Sequence, residues 1–318
     1  MKNYKKLLPS LFLILIVFQS CNNNDDSSIE PSTIVNLAAD SADLTSLVSA
    51  LRKVNLINTL NGQGSYTVLA PTNDAFAAFL TANNFNSLDD VPTNVLNKIL
   101  LNHVVNGTLN ASDLSTGYVN TLAISAASGT SMSLHIDTSN GVKFNGESSV
   151  SSADIIAVNG VIHKVDAVIG LPSIVTFTTA DPDFSTLVSA LTRDDLTTDF
   201  VEILSTDSST SPAPFTVFAP INDAFNKLLV ELNLTALSEI DEPTLNLTLK
   251  THVVGGTNVL DSDLTDNLTI TTLGSPLTAN VTGGATLTDT RDRVSIIVAT
   301  NIQADNGVIH AINNVVLP

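Results

Sequence analysis

The chain contains the same unit written twice. The stretch Thr67 to Phe76 reads TVLAPTNDAF, and it recurs 149 positions later as TVFAPINDAF from Thr216 to Phe225. Repetition at a separation of domain size indicates two copies of one fold rather than a solenoid of short repeats. The function therefore belongs to the unit, to the presence of two units, or to the segment that precedes them.

Two further stretches repeat in the same order. HVVNGT, which begins at His103, recurs as HVVGGT from His252, and NGVIH, which begins at Asn159, recurs from Asn306. At 318 residues the chain is long enough for two domains that each close a core. We predict one domain over residues 32–172 and a second over residues 173–318.

Charge excludes one class of partner. Formal net charge is −18, with 13 basic and 31 acidic residues, and no cluster of Lys or Arg interrupts the acidic excess. Such a surface repels phosphate backbones, so nucleic-acid binding is not expected. Hydrophobic residues make up 43% and charged residues 14%, which is typical of a packed globular protein.

The N-terminus is typical of an export signal. Leu7 to Phe18 is an apolar run, and it follows three lysines, Lys2, Lys5 and Lys6. The single cysteine, Cys21, comes directly after a small residue, as in the lipobox of bacterial lipoproteins. We predict a lipoprotein signal peptide over residues 1–20, lipidation of Cys21 and a flexible acidic tether over residues 21–31. An ordinary secretory signal that is cleaved near Ser20 is the alternative.

The predicted anchor suggests a location. Asn22 stands where Asp is associated with retention in the inner membrane, so we expect a lipid-anchored protein of the outer membrane, with exposure at the cell surface and a periplasmic orientation as the alternatives. Membrane contact is expected through the lipidated cysteine, Cys21.

The TVxAP box predicts a strand that ends at a proline, followed by a helix. Asn73 is interpreted as the helix N-cap, in preference to Thr72, because the Asn recurs and the Thr does not. Asp74 would then lie at the positive end of the helix dipole. A carboxylate that binds a ligand or metal is the alternative for Asp74. The structural-motif residues of this box are Pro71, Asn73 and Asp74, and in the second copy Pro220, Asn222 and Asp223.

The NGVIH box predicts a hairpin. Asn159-Gly160 is a strong turn signal between two apolar runs, and Asn306-Gly307 repeats it. Alternation places the histidine of each box, His163 or His310, on one face with apolar neighbours.

Catalytic and metal-binding motifs are missing from the sequence. Neither HExxH nor GxSxG is present, and a single cysteine cannot build a cysteine-based metal site. His103, His163, His252 and His310 lie in repeated apolar boxes, so we favour buried, hydrogen-bonded histidines over metal ligands. We predict no enzyme activity and no cofactor.

The three boxes, in this order and spacing, resemble the fasciclin (FAS1) domain, whose hallmarks are TVFAPTNxAF, a central His-Val-Val and NGVIHxIDxVL. The resemblance covers roughly residues 32–318. It implies an α+β fold of two tandem FAS1-like domains, each a wedge of two small β-sheets with a cluster of short helices. Animal members carry a Tyr-His pair at the central box that is linked with integrin binding. Here Asn102 and Thr251 stand in place of the tyrosine, so that role is not carried over.

The resemblance also implies a non-enzymatic surface module that mediates adhesion to an extracellular protein, a polysaccharide matrix or other cells. The alternative is a surface or periplasmic lipoprotein that captures a small ligand or glycan, which predicts a roomy pocket.

Overall fold

The structure is a computed structural model, and it describes residues 32–318 as one compact unit. In the first repeat the helices are α1 (Ile34–Asp40), α2 (Thr45–Lys53), α3 (Ile57–Asn61), α4 (Asn73–Ala82) and α5 (Thr93–Asn102). Its strands are β1 (Tyr66–Pro71), β2 (Val104–Asn106), β3 (Gly117–Ile124), β4 (Ser131–Asp137), β5 (Lys143–Phe144), β6 (Ser148–Ala157) and β7 (Gly160–Val165).

The second repeat has the same order of elements. Its helices are α6 (Ile174–Ala180), α7 (Ser185–Leu191), α8 (Phe200–Leu204), α9 (Asn222–Leu232) and α10 (Glu242–Thr251). Its strands are β8 (Phe215–Pro220), β9 (Val253–Gly255), β10 (Leu268–Ile270), β11 (Leu277–Asn280), β12 (Thr286–Thr288), β13 (Val294–Gln303) and β14 (Gly307–Ile312). The predicted α+β fold with two tandem units is confirmed.

The strands of each repeat form a seven-stranded arrangement. In the first repeat β1 to β7 close into a barrel, and in the second the order is β10-β11-β12-β13-β14-β8-β9. Neighbouring strands are antiparallel except for β1 with β7 and β8 with β14, which are parallel. The TVxAP strand therefore lies directly beside the NGVIH strand in both repeats.

This close pairing explains the glycine of the NGVIH box. A Cβ on Gly160 would lie 1.9 Å from the carbonyl oxygen of Tyr66, and one on Gly307 would lie 2.3 Å from that of Phe215. Gly160 also has φ of +144°, which disfavours a side chain. Asn159 occupies the turn and Gly160 begins β7, so the hairpin predicted here is confirmed.

Each repeat contains two clusters of buried apolar side chains. One lies between the helices and the sheet, and the other is enclosed by the strands. The helical cluster of the first repeat is centred on residues such as Leu47, Phe76 and Leu96, and that of the second on Phe177, Phe184 and Phe225. Within residues 32–318 no single helix is both long and apolar enough to cross a membrane. Two helical segments joined at a bend, Ile34–Asp40 and Ala42–Lys53, are together long and apolar enough to do so, by length and composition only.

Candidate functional site

The asparagine of the TVxAP box caps a different helix from the one predicted. The N-cap of α4 is Thr72, whose hydroxyl accepts from the backbone N–H of Ala75 at 3.3 Å. Asn73 instead accepts from the N–H of Ser46 at 2.8 Å and donates to the carbonyl of Ala42 at 3.0 Å. The prediction that Asn73 caps its own helix is therefore wrong, because its side chain closes the first turn of α2, which has no side-chain cap of its own.

The second repeat shows the same arrangement. Asn222 accepts from the N–H of Thr186 at 2.9 Å and donates to the carbonyl of Pro182 at 2.9 Å. The N-cap of α9 is Ile221, which makes no side-chain cap. Asp74 and Asp223 lie exposed in the first turns of α4 and α9, where the helix dipole favours a negative charge. Pro71 and Pro220 end their strands as predicted.

The asparagine of the NGVIH box joins two helices to the strands. Asn159 accepts from the N–H of Ile34 at 2.9 Å, at the start of α1, and donates to the carbonyl of Leu60 at 2.6 Å, in α3. Asn306 accepts from the N–H of Ile174 at 2.9 Å and donates to the carbonyl of Leu204 at 2.8 Å. Both side chains thus satisfy backbone groups at helix ends that would otherwise be buried without partners.

The central histidines are core residues. The Nδ1–H of His103 donates to the carbonyl of Ile99 at 2.8 Å, and its Nε2 accepts from the N–H of Ile169 at 2.9 Å. His252 repeats the pattern with Thr248 at 2.7 Å and Val316 at 3.2 Å. Burial lowers the pKa of each ring to about 4, so both are neutral at pH 7.

The histidines of the NGVIH boxes are also buried. His163 Nε2 donates to the carbonyl of Leu109 at 2.8 Å, and His310 Nε2 donates to that of Val259 at 2.9 Å. Burial lowers the pKa of His310, whose ring stacks on Phe218. All four repeated histidines therefore hold backbone carbonyls in place, the arrangement that the sequence favoured over a metal site.

Residues 32–318 contain no group of three or more His, Cys, Asp or Glu side chains placed to hold a metal ion. Cys21, the predicted signal peptide and the predicted tether lie outside the described residues, so the lipid anchor stays a prediction.

An open apolar groove lies in the first repeat, between α4, α5 and the segment after β7. It encloses about 640 Å³, and its apolar side chains include Phe79, Phe85, Val95 and Leu171. The matching groove of the second repeat encloses about 220 Å³ and is lined by Lys227, Glu231 and Arg293 among others. The sequence did not single out either groove, because all of their lining residues except Ala75 and Ala224 lie outside the repeated boxes.

A set of contacts joins the two repeats. The backbone N–H of Gln303 in β13 donates to Ser133 Oγ in β4 at 2.9 Å, and Lys98 in α5 forms an ion pair with Asp305. The Tyr118 hydroxyl donates to Asp181 at 2.9 Å. Burial and the Asp181 carboxylate raise the pKa of Tyr118 well above its usual range, so it stays a donor. One of these contacts is buried and the other two are half-buried, and together they hold the repeats in one arrangement.

The family model for the fasciclin domain matches this chain twice, over residues 42–172 and 182–318. The chain belongs to the fasciclin domain family. The matched segments contain both sets of boxes. They run from α2 to the end of the first repeat and from α7 to the end of the second.

Relatives of this fasciclin protein are found in Synechocystis sp., Homo sapiens and Sus scrofa. Protein sll1483 of Synechocystis sp. is 42% identical over 139 residues, which cover 43% of this chain and 72% of the relative. Human periostin is 27% identical over 262 residues, 81% of this chain but 29% of periostin. Transforming growth factor-beta-induced protein ig-h3 of Sus scrofa is 30% identical over 141 residues, 44% of this chain and 20% of that protein.

The fold is also that of a solved structure, the FAS1 domain pair from the insect cell adhesion molecule fasciclin I. The TM-score is 0.50 at 20% identity, covering 85% of this chain and 97% of that chain. The tandem arrangement of two fasciclin domains is therefore shared with that molecule at the level of the fold.

Proposed function

We propose that this chain is a non-enzymatic, lipid-anchored protein of the cell envelope that mediates adhesion to a matrix, a polymer or other cells. The observation that carries the proposal is the pair of fasciclin domains held as one compact unit. The solved fasciclin pair with the same fold comes from an insect cell adhesion molecule. Nothing within residues 32–318 points to catalysis, since the repeated polar side chains bind backbone groups of their own domain.

The N-terminal sequence supports the anchor. Three lysines, an apolar run and Cys21 stand in the order that a lipoprotein signal requires, and the acidic segment that follows is suited to hold the domains away from the membrane. The partner we propose is an extracellular protein or polysaccharide, which two linked domains would bind with greater avidity than one.

A deletion strain tests adhesion, with attachment to a matrix-coated surface and biofilm mass as measurements. We expect both to fall, and to return when the intact gene is supplied. A Cys21→Ala variant supplied in the same way should lose the fatty-acid label that the native protein takes up, and it should fail to restore attachment. If the deletion strain attaches as well as its parent, adhesion is contradicted, whereas a native protein that takes up no fatty-acid label contradicts only the anchor. Protease treatment of intact cells then reports whether the domains face outward.

Capture of a small ligand is the second candidate. The observation that favours it is the open groove of the first repeat, because its volume of about 640 Å³ lies within the usual range for ligand sites, about 300–1,000 Å³.

A further inference from the structure

The two repeats build the same groove and fill it differently. Matching the TVxAP boxes pairs Ala78 with Lys227 and Ala82 with Glu231, and matching the NGVIH boxes pairs Gly146 with Arg293. The groove of the first repeat is lined by Ala78 and Ala82, at the positions that line the second groove with long charged side chains. Both grooves belong to one chain and one fold, so the groove of the second repeat is a reference for the groove of the first.

In the second repeat these side chains close the groove. Arg293 Nη1 lies 3.0 Å from Glu231 Oε1, and Arg293 Nε lies 3.3 Å from Asp289 Oδ2. Lys227 Nζ donates to the carbonyl of Asn313 at 2.9 Å. We call Lys227, Glu231 and Arg293 the plug. The ion pair and hydrogen bonds hold the plug across the groove, and the remaining groove volume of about 220 Å³ is below the usual size of a ligand site.

In the first repeat small residues leave the groove open. Alanines stand where the second repeat has the lysine and the glutamate, so the groove is open beside α4. Gly146, the counterpart of the arginine, carries no side chain that could reach across it. Phe79 and Phe85 are half-buried there, and Val95 is 36% exposed. Aromatic and branched side chains that meet in a concave surface of this size are suited to an apolar ligand.

One charged residue marks the polar end of this groove. Glu147 is the charged side chain among the lining residues that the structure describes, and its counterpart in the second repeat is Val294. Glu147 is exposed to solvent at the edge of the groove, and the partial desolvation that raises its pKa is opposed by a hydrogen bond from the backbone of Gly170. Its carboxylate would attract a cation seated beside it, and water would screen part of that attraction.

The overall charge favours the same sign of ligand. With 31 acidic against 13 basic residues, the chain repels carboxylates and phosphates and attracts cations. We propose that the groove of the first repeat binds a small apolar amine, with its hydrocarbon body between α4 and α5 and its ammonium group against Glu147. This assignment rests on the second candidate function, ligand capture by the same groove, and names the class of ligand. Its test is independent of cell attachment.

The test compares three probes that share one body. Residues 32–318, which form one compact unit holding both repeats, are titrated at pH 7 with octylamine, octanol and octanoate. Octanol is kept below its solubility limit, and the two charged probes are kept below their micellar concentrations. NMR shift changes or calorimetry report Kd. We expect octylamine to bind about fivefold more tightly than octanol, from one partly exposed ion pair, and octanoate to bind most weakly.

Variants then locate the site. Ala78→Lys/Ala82→Glu rebuilds part of the plug of the second repeat and should weaken binding of octylamine and octanol at least about tenfold. Ala77→Lys/Thr81→Glu, on exposed positions of the same helix, adds the same charges outside the groove and should leave both Kd values unchanged. Glu147→Gln should abolish the preference for octylamine over octanol while octanol still binds.

Two kinds of result would overturn the proposal. Unchanged binding in Ala78→Lys/Ala82→Glu, with a native unfolding transition, would overturn the site, and so would failure of octylamine to bind. Octanoate binding as tightly as octylamine, or an octylamine preference that survives in Glu147→Gln, would overturn the assignment of an amine.

Discussion

Replacement of Asn159 by alanine tests whether the NGVIH box exists for its structure. In the native protein its side chain accepts from the N–H of Ile34 and donates to the carbonyl of Leu60, and both of these residues are buried at 1% exposure. Alanine leaves both backbone groups without that partner, and each orphaned group costs about 1–3 kcal/mol. We expect Asn159→Ala to lower the free energy of unfolding by about 3 kcal/mol, with the larger loss in the first repeat.

Urea denaturation followed by circular dichroism measures this change. Asn94→Ala, on an exposed position of α5, is the matched control and should stay within about 0.5 kcal/mol of the native protein. If Asn159→Ala unfolds as the native protein does, the claim that this asparagine ties α1 and α3 to the strands is refuted. A loss of stability in the control as large as that in Asn159→Ala would refute it equally, because the cost would then not depend on the buried bonds.

Three further predictions follow from the same structure. Asn222→Ala should destabilise the protein by about 1 kcal/mol, because the N–H of Thr186 in the first turn of α7 loses the side-chain oxygen that accepts its hydrogen bond. An unchanged urea midpoint would contradict this prediction. The pKa of His103 and of His252 is about 4 in the folded state, against an ordinary value of 6.5, so the unfolded chain binds more protons between these two pH values. The free energy of unfolding should therefore fall as the pH is lowered from about 6.5 to about 4. A free energy of unfolding that does not change over this pH range would contradict the prediction. For Lys98 and Asp305, a double-mutant cycle with alanine should show a coupling energy of about 1 kcal/mol between the repeats, and additive losses would show that the pair does not join them.

The repeated boxes made the domain pair and its α+β class predictable from the sequence, because hydrophobic period, turn residues and duplication all agreed. The partner of each polar side chain was not predictable. Thr72 and Asn73 are both good capping residues, and only the fold shows that Asn73 reaches Ser46, 27 positions earlier. Local spacing describes a helix start, whereas a cap supplied from another element depends on tertiary packing. The parallel pairing of the TVxAP and NGVIH strands was hidden for the same reason.

The groove was missed for a different reason. The residues that the two copies share are the ones that stand out in a duplicated chain, and here they hold the fold together: Asn73 and Asn159 bind helix ends, and His103 binds backbone groups in the core. A site that serves one copy alone must lie where the copies differ. Ala78 and Ala82 are unremarkable in sequence, and they acquire meaning only because their counterparts close the same space in the second repeat. Since the scaffold tolerates both a plugged and an open groove, the open form is not required for folding, and this separates the ligand site from the structural motif on which the family resemblance rests.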